Sequence, residues 1–515
     1  ARLASRGISI PRISRAGDVL DLNGLNQGFN LQLKPFALGK SHRDDLLEVH
    51  HSGEENFDAG FDIKYSLTSN LTLDFTLNTD FAQVEADVEQ INLTRFPLFF
   101  PEKREFFLES ASIFQFGQQG FFGPPPLLLF FSRRIGIEGF NTIVPILAGG
   151  RMTGKVGNFN IGLLDILTDE KSRFPKSHFS VVRVSRDVFQ RSKVGVMFTN
   201  RADLGQSQNQ AYGVDANIWL SNVLEFQSFF SQTHTSGTRN TDRAWKIGLD
   251  FTKDHWGWFA AHMFIDKNFD PAVGFVLRRD IHRTNMAFRV SPQPNGRFLR
   301  RTDIRQNFVH ITNKDGRLQD WEYGITFMNE LSNGDKINIG YRRIFERLDK
   351  PFDFRADIQI PIGDYQNNQV NANFQSSAKR KYTGTVSFLW QDFYSGTRLN
   401  WGGGFGFAPN QHLSLAFSYD RNEIDLTQGT LNTDLLELRL NLAFTTHLFL
   451  NTLVQYNSET NEFSTNMRLN FIHSPGSDLF IVFNESRGRQ GEKFFDGLPA
   501  RSRELILKFT RLLRI

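Results

Sequence analysis

Four carboxylates, Asp80, Glu85, Asp87 and Glu89, fall in one short stretch of the chain. Grouped oxygens of this kind suit a hard cation, because Ca²⁺ takes six or more oxygen ligands. The spacing lacks the ordered loop and central glycine of a calcium motif. The favoured reading is therefore a set of carboxylates that pair with arginines on a wet protein wall, with a metal site as the weaker alternative.

A second constellation follows at once. Glu102, Lys103, Arg104, Glu105 and Glu109 are interleaved with Phe99, Phe100, Phe106 and Phe107. Charges taken out of water must be paired to be tolerated, so this run reads as a salt-bridged anchor, with Arg133 and Arg134 as candidate partners. It also reads as a charged constriction or latch, and the two roles are compatible.

Other residues carry less. His50-His51 is the one adjacent histidine pair, in an acidic stretch that reads as a loop. A hydrolase would need a nucleophile or activated water converging with a histidine and a carboxylate. His262, His282 and His310 are available, but no nucleophile motif accompanies them, so no catalytic residue is assigned. Gly402-Gly403-Gly404 lacks the following Lys-Ser/Thr and helix of a phosphate loop and reads as relief of crowding in a strand. Nothing in these patterns calls for a cofactor.

The elements that hold these residues are strands. Leu436, Leu438, Leu440, Leu442 and Phe444 alternate with Glu437, Arg439, Asn441 and Ala443, which gives one apolar and one wet face. Trp245, Ile247, Leu249 and Phe251 do the same against Lys246, Gly248, Asp250 and Thr252, and the pattern recurs to the last residue. Alternation sustained over a whole chain, with charges on the wet side, predicts a membrane barrel whose wet face lines a lumen.

Strands are expected near 29–37, 58–67 and 70–79, and alternation is read as resuming near 127. Between them, residues 81–125 carry Pro97, Pro101 and Pro124 to Pro126, and proline cannot donate to a strand ladder. So long an irregular stretch needs a reason in a compact fold, and a plug or constriction folded into the lumen supplies one. The segment Glu504 to Ile515 reads as the closing strand, although Arg511 interrupts its apolar face.

Composition agrees. The chain has 515 residues, 40% of them hydrophobic, and a mean hydropathy of −0.36. No run reaches the ~18 apolar residues a membrane helix needs, whereas a barrel needs only half its side chains apolar. The 53 Phe against 9 Tyr and 7 Trp suit a lipid-facing surface. Absent cysteine excludes disulfides and thiolate chemistry. With 59 basic and 55 acidic residues the charge is nearly balanced, which offers no nucleic-acid footprint. No signal peptide is visible and the chain starts at Ala1, so processing or truncation is expected to have removed one.

Several phrases are more specific: Gly60-Phe-Asp-Ile-Lys-Tyr-Ser-Leu-Thr-Ser-Asn-Leu-Thr-Leu-Asp74, Leu77 to Asp87, Phe100-Pro-Glu-Lys-Arg-Glu-Phe-Phe-Leu-Glu109, Phe131-Ser-Arg-Arg-Ile-Gly136, Gly149-Gly-Arg-Met-Thr-Gly-Lys155, Arg183-Val-Ser-Arg-Asp187, Trp256-Gly-Trp258 and Asn268 to Val276. Over roughly residues 35 to 515, and most distinctively over 60–117, the chain resembles an uncharacterised bacterial family widespread in Bacteroidetes and related phyla. Members usually carry an N-terminal family 9-type carbohydrate-binding domain followed by a large outer-membrane β-barrel. This chain does not include that domain, so sugar recognition carries over to no residue here. The family has no settled activity, so the resemblance implies fold and location.

These readings predict an all-β protein: a large single-chain antiparallel transmembrane β-barrel of about 24–26 strands with an irregular segment in the lumen. Residues 1–27 form an N-terminal extension, 28–515 the barrel, and 81–125 the plug or constriction. The expected function is passage of a solute or polymer across the bacterial outer membrane, gated or occluded by 81–125. A non-conducting barrel that anchors a surface or secretion assembly is the alternative, and a barrel-embedded hydrolase the weaker third. The expected partner is outer-membrane lipid. Periplasmic or surface proteins and a carbohydrate ligand stay open, and nucleic acid is not expected.

Overall fold

A computed structural model describes residues 30–44, 54–81, 84–117, 124–139, 142–189, 191–238, 242–294, 296–488 and 500–515. The expected extension 1–27 and the pair His50-His51 lie outside them.

Antiparallel strands build the wall: Leu31–Asp44, Glu54–Thr68 and Leu71–Thr79 come first, and Ile146–Val156 through Ala500–Thr510 follow after a long insertion. One sheet holds 25 strands, of which the last, Leu513–Arg514, only continues Ala500–Thr510 past a break, leaving 24 around the ring (25 less one). The break falls at Arg511 and Leu512, where the sequence interrupts its own apolar alternation. Closure is direct, because Ala37 pairs with Phe509 and Leu33 with Leu513. A closed ring leaves no strand edge unpaired, which the membrane interior requires.

The two faces separate as the alternation predicts. On strand Asp242–Thr252, Lys246 is 6% exposed on the inner side and Ile247 is 52% exposed on the outer side. Val196, Val214, Phe288, Ile339, Phe388, Trp401, Phe417 and Ile481 are likewise exposed on strands spread around the ring. Apolar surface on this scale has no place in water and belongs against lipid. No helix among the described residues is long and apolar enough to cross a membrane, and strands do the crossing. The protein is an integral outer-membrane barrel.

The wall resumes later than residue 127. Leu127–Leu128 pairs only with Phe275–Val276, in a separate two-stranded sheet, and Leu127 and Leu129 are 3% and 1% exposed in an internal apolar cluster. The burst Leu127 to Phe131 has the composition of a strand, but the segment folds inward and the wall restarts at Ile146. The insertion between strands therefore runs from 80 to 145.

The ends of the barrel differ. Connections such as 69–70, 157–158 and 475–476 are tight turns at the end where Ile515 bonds to Leu31. Long connections, including 80–145, 266–280 and 349–362, emerge at the other end. In outer-membrane barrels the short turns are periplasmic and the longer loops extracellular.

Candidate functional site: the segment inside the barrel

Arg104 is the hub of the inserted segment. It stands just before a single helical turn, Glu105–Leu108, and is 4% exposed. Its Nε and Nη2 donate to Glu102 Oε1 and Oε2 at 2.9 and 2.7 Å, and Nη1 and Nη2 donate to the carbonyls of Ile135 and Ser132 at 2.6 and 2.8 Å. The Ser132 hydroxyl completes the knot by donating to Glu102 Oε2 at 2.6 Å. The guanidinium also lies 4.3 Å from the centre of the Phe107 ring. A buried charge is tolerated when it is paired and its donors are used, and Arg104 meets both conditions.

The remaining residues singled out in sequence divide among other partners. Arg133 does not reach Glu102, Glu105 or Glu109. It grips Asp87, with Nη2 to Oδ2 at 2.5 Å, and Lys103 approaches the same carboxylate at 3.5 Å. Arg134 Nε donates to the Gly274 carbonyl at 3.0 Å, which joins the insertion to the connection 266–280. Glu109 bonds to Lys64 and lies 3.3 Å from Arg151 Nη2 on the wall. Glu105 is exposed at the start of the helical turn.

The acidic stretch does not converge. Asp80 pairs with Lys508 at 3.1 Å, Glu85 with Arg439 at 2.5 Å, Asp87 with Arg133, and Glu89 accepts from Asn457 at 3.4 Å. Among the described residues no group of three or more His, Asp or Glu could hold a metal ion.

Sequence reasoning missed the residues that receive the insertion. Arg95 lies 2.9 Å from Glu346 and 3.4 Å from Asp320. Arg151 Nη2 lies 2.7 Å from Asp74 Oδ2 while Nη1 donates to the Glu109 carbonyl at 2.7 Å. The Gly117 amide donates to Asp215, itself held by Arg183. Counted along the wall, Ile146–Val156 with Arg151 and Lys336–Leu348 with Glu346 are the fourth and fifteenth strands of 24, close to half a turn apart. Gln208–Trp219 with Asp215 and Gly429–Ala443 with Arg439 are the eighth and twentieth, also half a turn apart. The insertion is thus tied to opposite sides of the inner wall along two directions. Arg151 and Arg183 lie in phrases that carry the family resemblance, which was the available signal. Nothing local marks Asp320, Glu346 or Gln455, whose Oε1 accepts from the Glu89 amide at 2.8 Å, as their counterparts.

Apolar packing holds one side of the insertion. Phe107 and Phe114 join Leu164, Ile166, Phe179 and Val181 of the wall, and Phe116, Leu127 and Leu129 join Met197, Phe229, Met263 and Ile281. Each fully buried ring contributes about 2–3 kcal/mol. Small wall residues make room: a side chain at Gly162 would meet Ile113 and Phe114 at 2.9 Å, and one at Gly213 would strike Phe116.

Ionisation follows the contacts. Burial acts to raise the Glu102 carboxyl, but the hydrogen bonds and charge of Arg104 and the Ser132 hydroxyl outweigh it and hold the group below its ordinary range. Glu109 is likewise lowered: burial acts against Lys64 and Arg151, and the two cations win. Glu89 goes the other way, raised by burial that the Asn457 hydrogen bond only partly offsets.

The histidines lie elsewhere. His262 and His282 meet at 3.3 Å on the outer face beside Trp245 and Phe264, and Thr284 pairs with His310 in register. Gly402, Gly403 and Gly404 lie within strand Gly396–Phe407, and a side chain at Gly402 would meet the Tyr419 carbonyl at 2.8 Å.

A family model described as a domain of unknown function, DUF5916, matches residues 29–146, the first strands and the insertion. No curated protein matches the chain in sequence. Among solved structures, the chain is similar to the siderophore receptor PirA from Pseudomonas aeruginosa, with 8% identity, 93% of this chain and 80% of that one covered, and a TM-score of 0.45. BauA, the ferric preacinetobactin receptor from Acinetobacter baumannii, shows 10% identity, coverage of 93% and 80%, and a TM-score of 0.40. OccAB3 from Acinetobacter baumannii shows 10% identity, coverage of 94% and 99%, and a TM-score of 0.28. At such identities and scores nothing about cargo carries over to this chain.

Proposed function

We propose that this protein is an outer-membrane conduit for a solute or polymer, and that residues 81–125 occlude or gate its lumen. The observation that carries the reading is the attachment of the insertion to opposite sides of the wall, through Arg95 with Glu346 and through Glu109 with Arg151. A ring of this many strands is wide if unfilled, and a segment moored across it narrows the way through. Charge pairs and short hydrogen bonds suit a latch, because they can be exchanged for water when the segment moves.

Deleting residues 85–120 is the test. Single-channel conductance in a planar bilayer is expected to rise sharply over the full chain, and unchanged conductance would remove the occlusion. One observation favours the second reading, a sealed barrel that anchors an assembly: Phe107, Phe114 and Phe116 are each about 5–6% exposed against the wall, which resists motion. A silent bilayer with inserted protein, together with a stoichiometric co-purifying partner, would select that reading.

A further inference from the structure

The inner wall is not uniform. Strand Gly363–Gln375 turns Asn367, Gln369, Asn371, Asn373 and Gln375 inward at five successive inner positions, while Val370 and Phe374 face out, 40% and 37% exposed. Inner positions along a strand recur every ~6.7 Å, so the five amides form a ladder of roughly 27 Å along the lumen. Gln391 on the next strand stands opposite Gln369. The following strands continue the inner face mainly with Ser, Thr, Asn and Gly, as where Thr385 stands opposite Gly404, with Leu389 opposite Asn371 and Ala416 opposite Gly406 as apolar exceptions. Their inward charges, Arg398 and Asp420, are engaged with Asn422 and Asn400 at 2.7 and 2.9 Å.

Two further observations set this arc apart. Among the described residues, the polar contacts of 84–139 with the inner wall run to strands on either side of this arc, as from Arg95 to Glu346 and from Glu85 to Arg439. The insertion meets this arc at its long-loop end, where Leu93 packs with Phe393 and Ile424 beneath hairpin 352–360. In addition Asn367, only 7% exposed, has an Oδ1 that accepts no hydrogen bond, and Gln369 and Gln391 are 7% and 8% exposed beside it.

An amide offers both donors and acceptors and carries no charge. A cation or anion gains little from such a wall in return for its hydration. A neutral solute rich in hydroxyls exchanges hydrogen bonds with water for hydrogen bonds with amides at every rung. We infer that the inner face of strands 363–426 is the binding track for the solute, and that the solute is a neutral, hydroxyl-rich chain of the oligosaccharide class. The inference rests on the conduit reading for transport, but binding to the track does not require an open pore.

The test uses the detergent-purified full chain and a panel of neutral hexasaccharides (maltohexaose, cellohexaose and xylohexaose), measured by titration calorimetry and, separately, by current blockade in a bilayer. At least one is expected to bind, and Gln369→Leu with Asn371→Leu is expected to weaken it about tenfold or more, as loss of two hydrogen bonds implies. Gln369→Glu with Asn371→Asp keeps the shapes should the leucine pair fail to fold. It is expected to retain the heat-stable barrel on electrophoresis while losing the saccharide. The track is overturned if no hexasaccharide binds, if binding survives both variants, or if a sulfated oligosaccharide or tetra-alanine binds more tightly. Saccharide binding with no conductance even after deletion of 85–120 would sink the conduit and keep the track; conductance of the deletion variant without saccharide binding would do the reverse.

Discussion

Arg104 and Glu102, two residues apart in the inserted segment, meet side-on through two hydrogen bonds of 2.9 and 2.7 Å, with the arginine 4% exposed. Breaking such a pair from one side leaves a buried charge alone, which costs about 3–5 kcal/mol. Glu102→Ala is therefore expected to loosen the insertion without unfolding the barrel. Limited proteolysis should cut within 84–117, and open-channel current should grow. Glu102→Gln with Arg104→Met removes both charges and should recover part of the loss.

Acid should loosen the insertion as well. The folded Glu102 and Glu109 carboxyls lie below their ordinary values, so their contribution is complete above the unfolded value of about 4.3 and is lost as pH falls through the folded values. Glu89, raised by burial, has the opposite sign and loses stability as pH rises through its folded value. Conductance is thus expected to change little from neutral pH to about 5 and to rise below about 4.3. A Glu102→Gln variant should already be loosened at neutral pH and respond less to acid.

Gly213 offers a steric route to the same state. A side chain there strikes Phe116, and the neighbouring Leu129 stands at 2.8 Å. Gly213→Val should displace Phe116 and its neighbours while the wall strand stays paired, at a cost of about 1–3 kcal/mol typical of overpacking. Raised conductance with an unchanged heat-modifiable band on electrophoresis would bear this out; an unchanged current would show that Phe116 is not needed for closure.

The outer face makes a prediction about stability. Ile247, at the middle of strand Asp242–Thr252 and 52% exposed, faces the apolar interior of the bilayer. Ile247→Arg should cost about 2–4 kcal/mol in folding into lipid vesicles. The same change at Thr326, an inner position opposite Gly340, should cost far less and shift ion selectivity instead.

Alternation by itself determined the barrel, the lipid-facing side, the approximate strand number and the closing strand, because a strand writes its two faces into every second residue. Even the break at Arg511 was legible. The end of the insertion was not: Leu127 to Phe131 has strand composition wherever it lies, and only packing against Phe275, Met263 and Ile281 turns it inward. The charged candidates were visible as residue types, but not as pairs. Asp87 found Arg133, Glu85 found Arg439 and Arg95 found Glu346, each pairing decided by which inner wall position a closed ring brings within hydrogen-bonding reach. Register and closure are properties of the whole sheet, so no local window contains them.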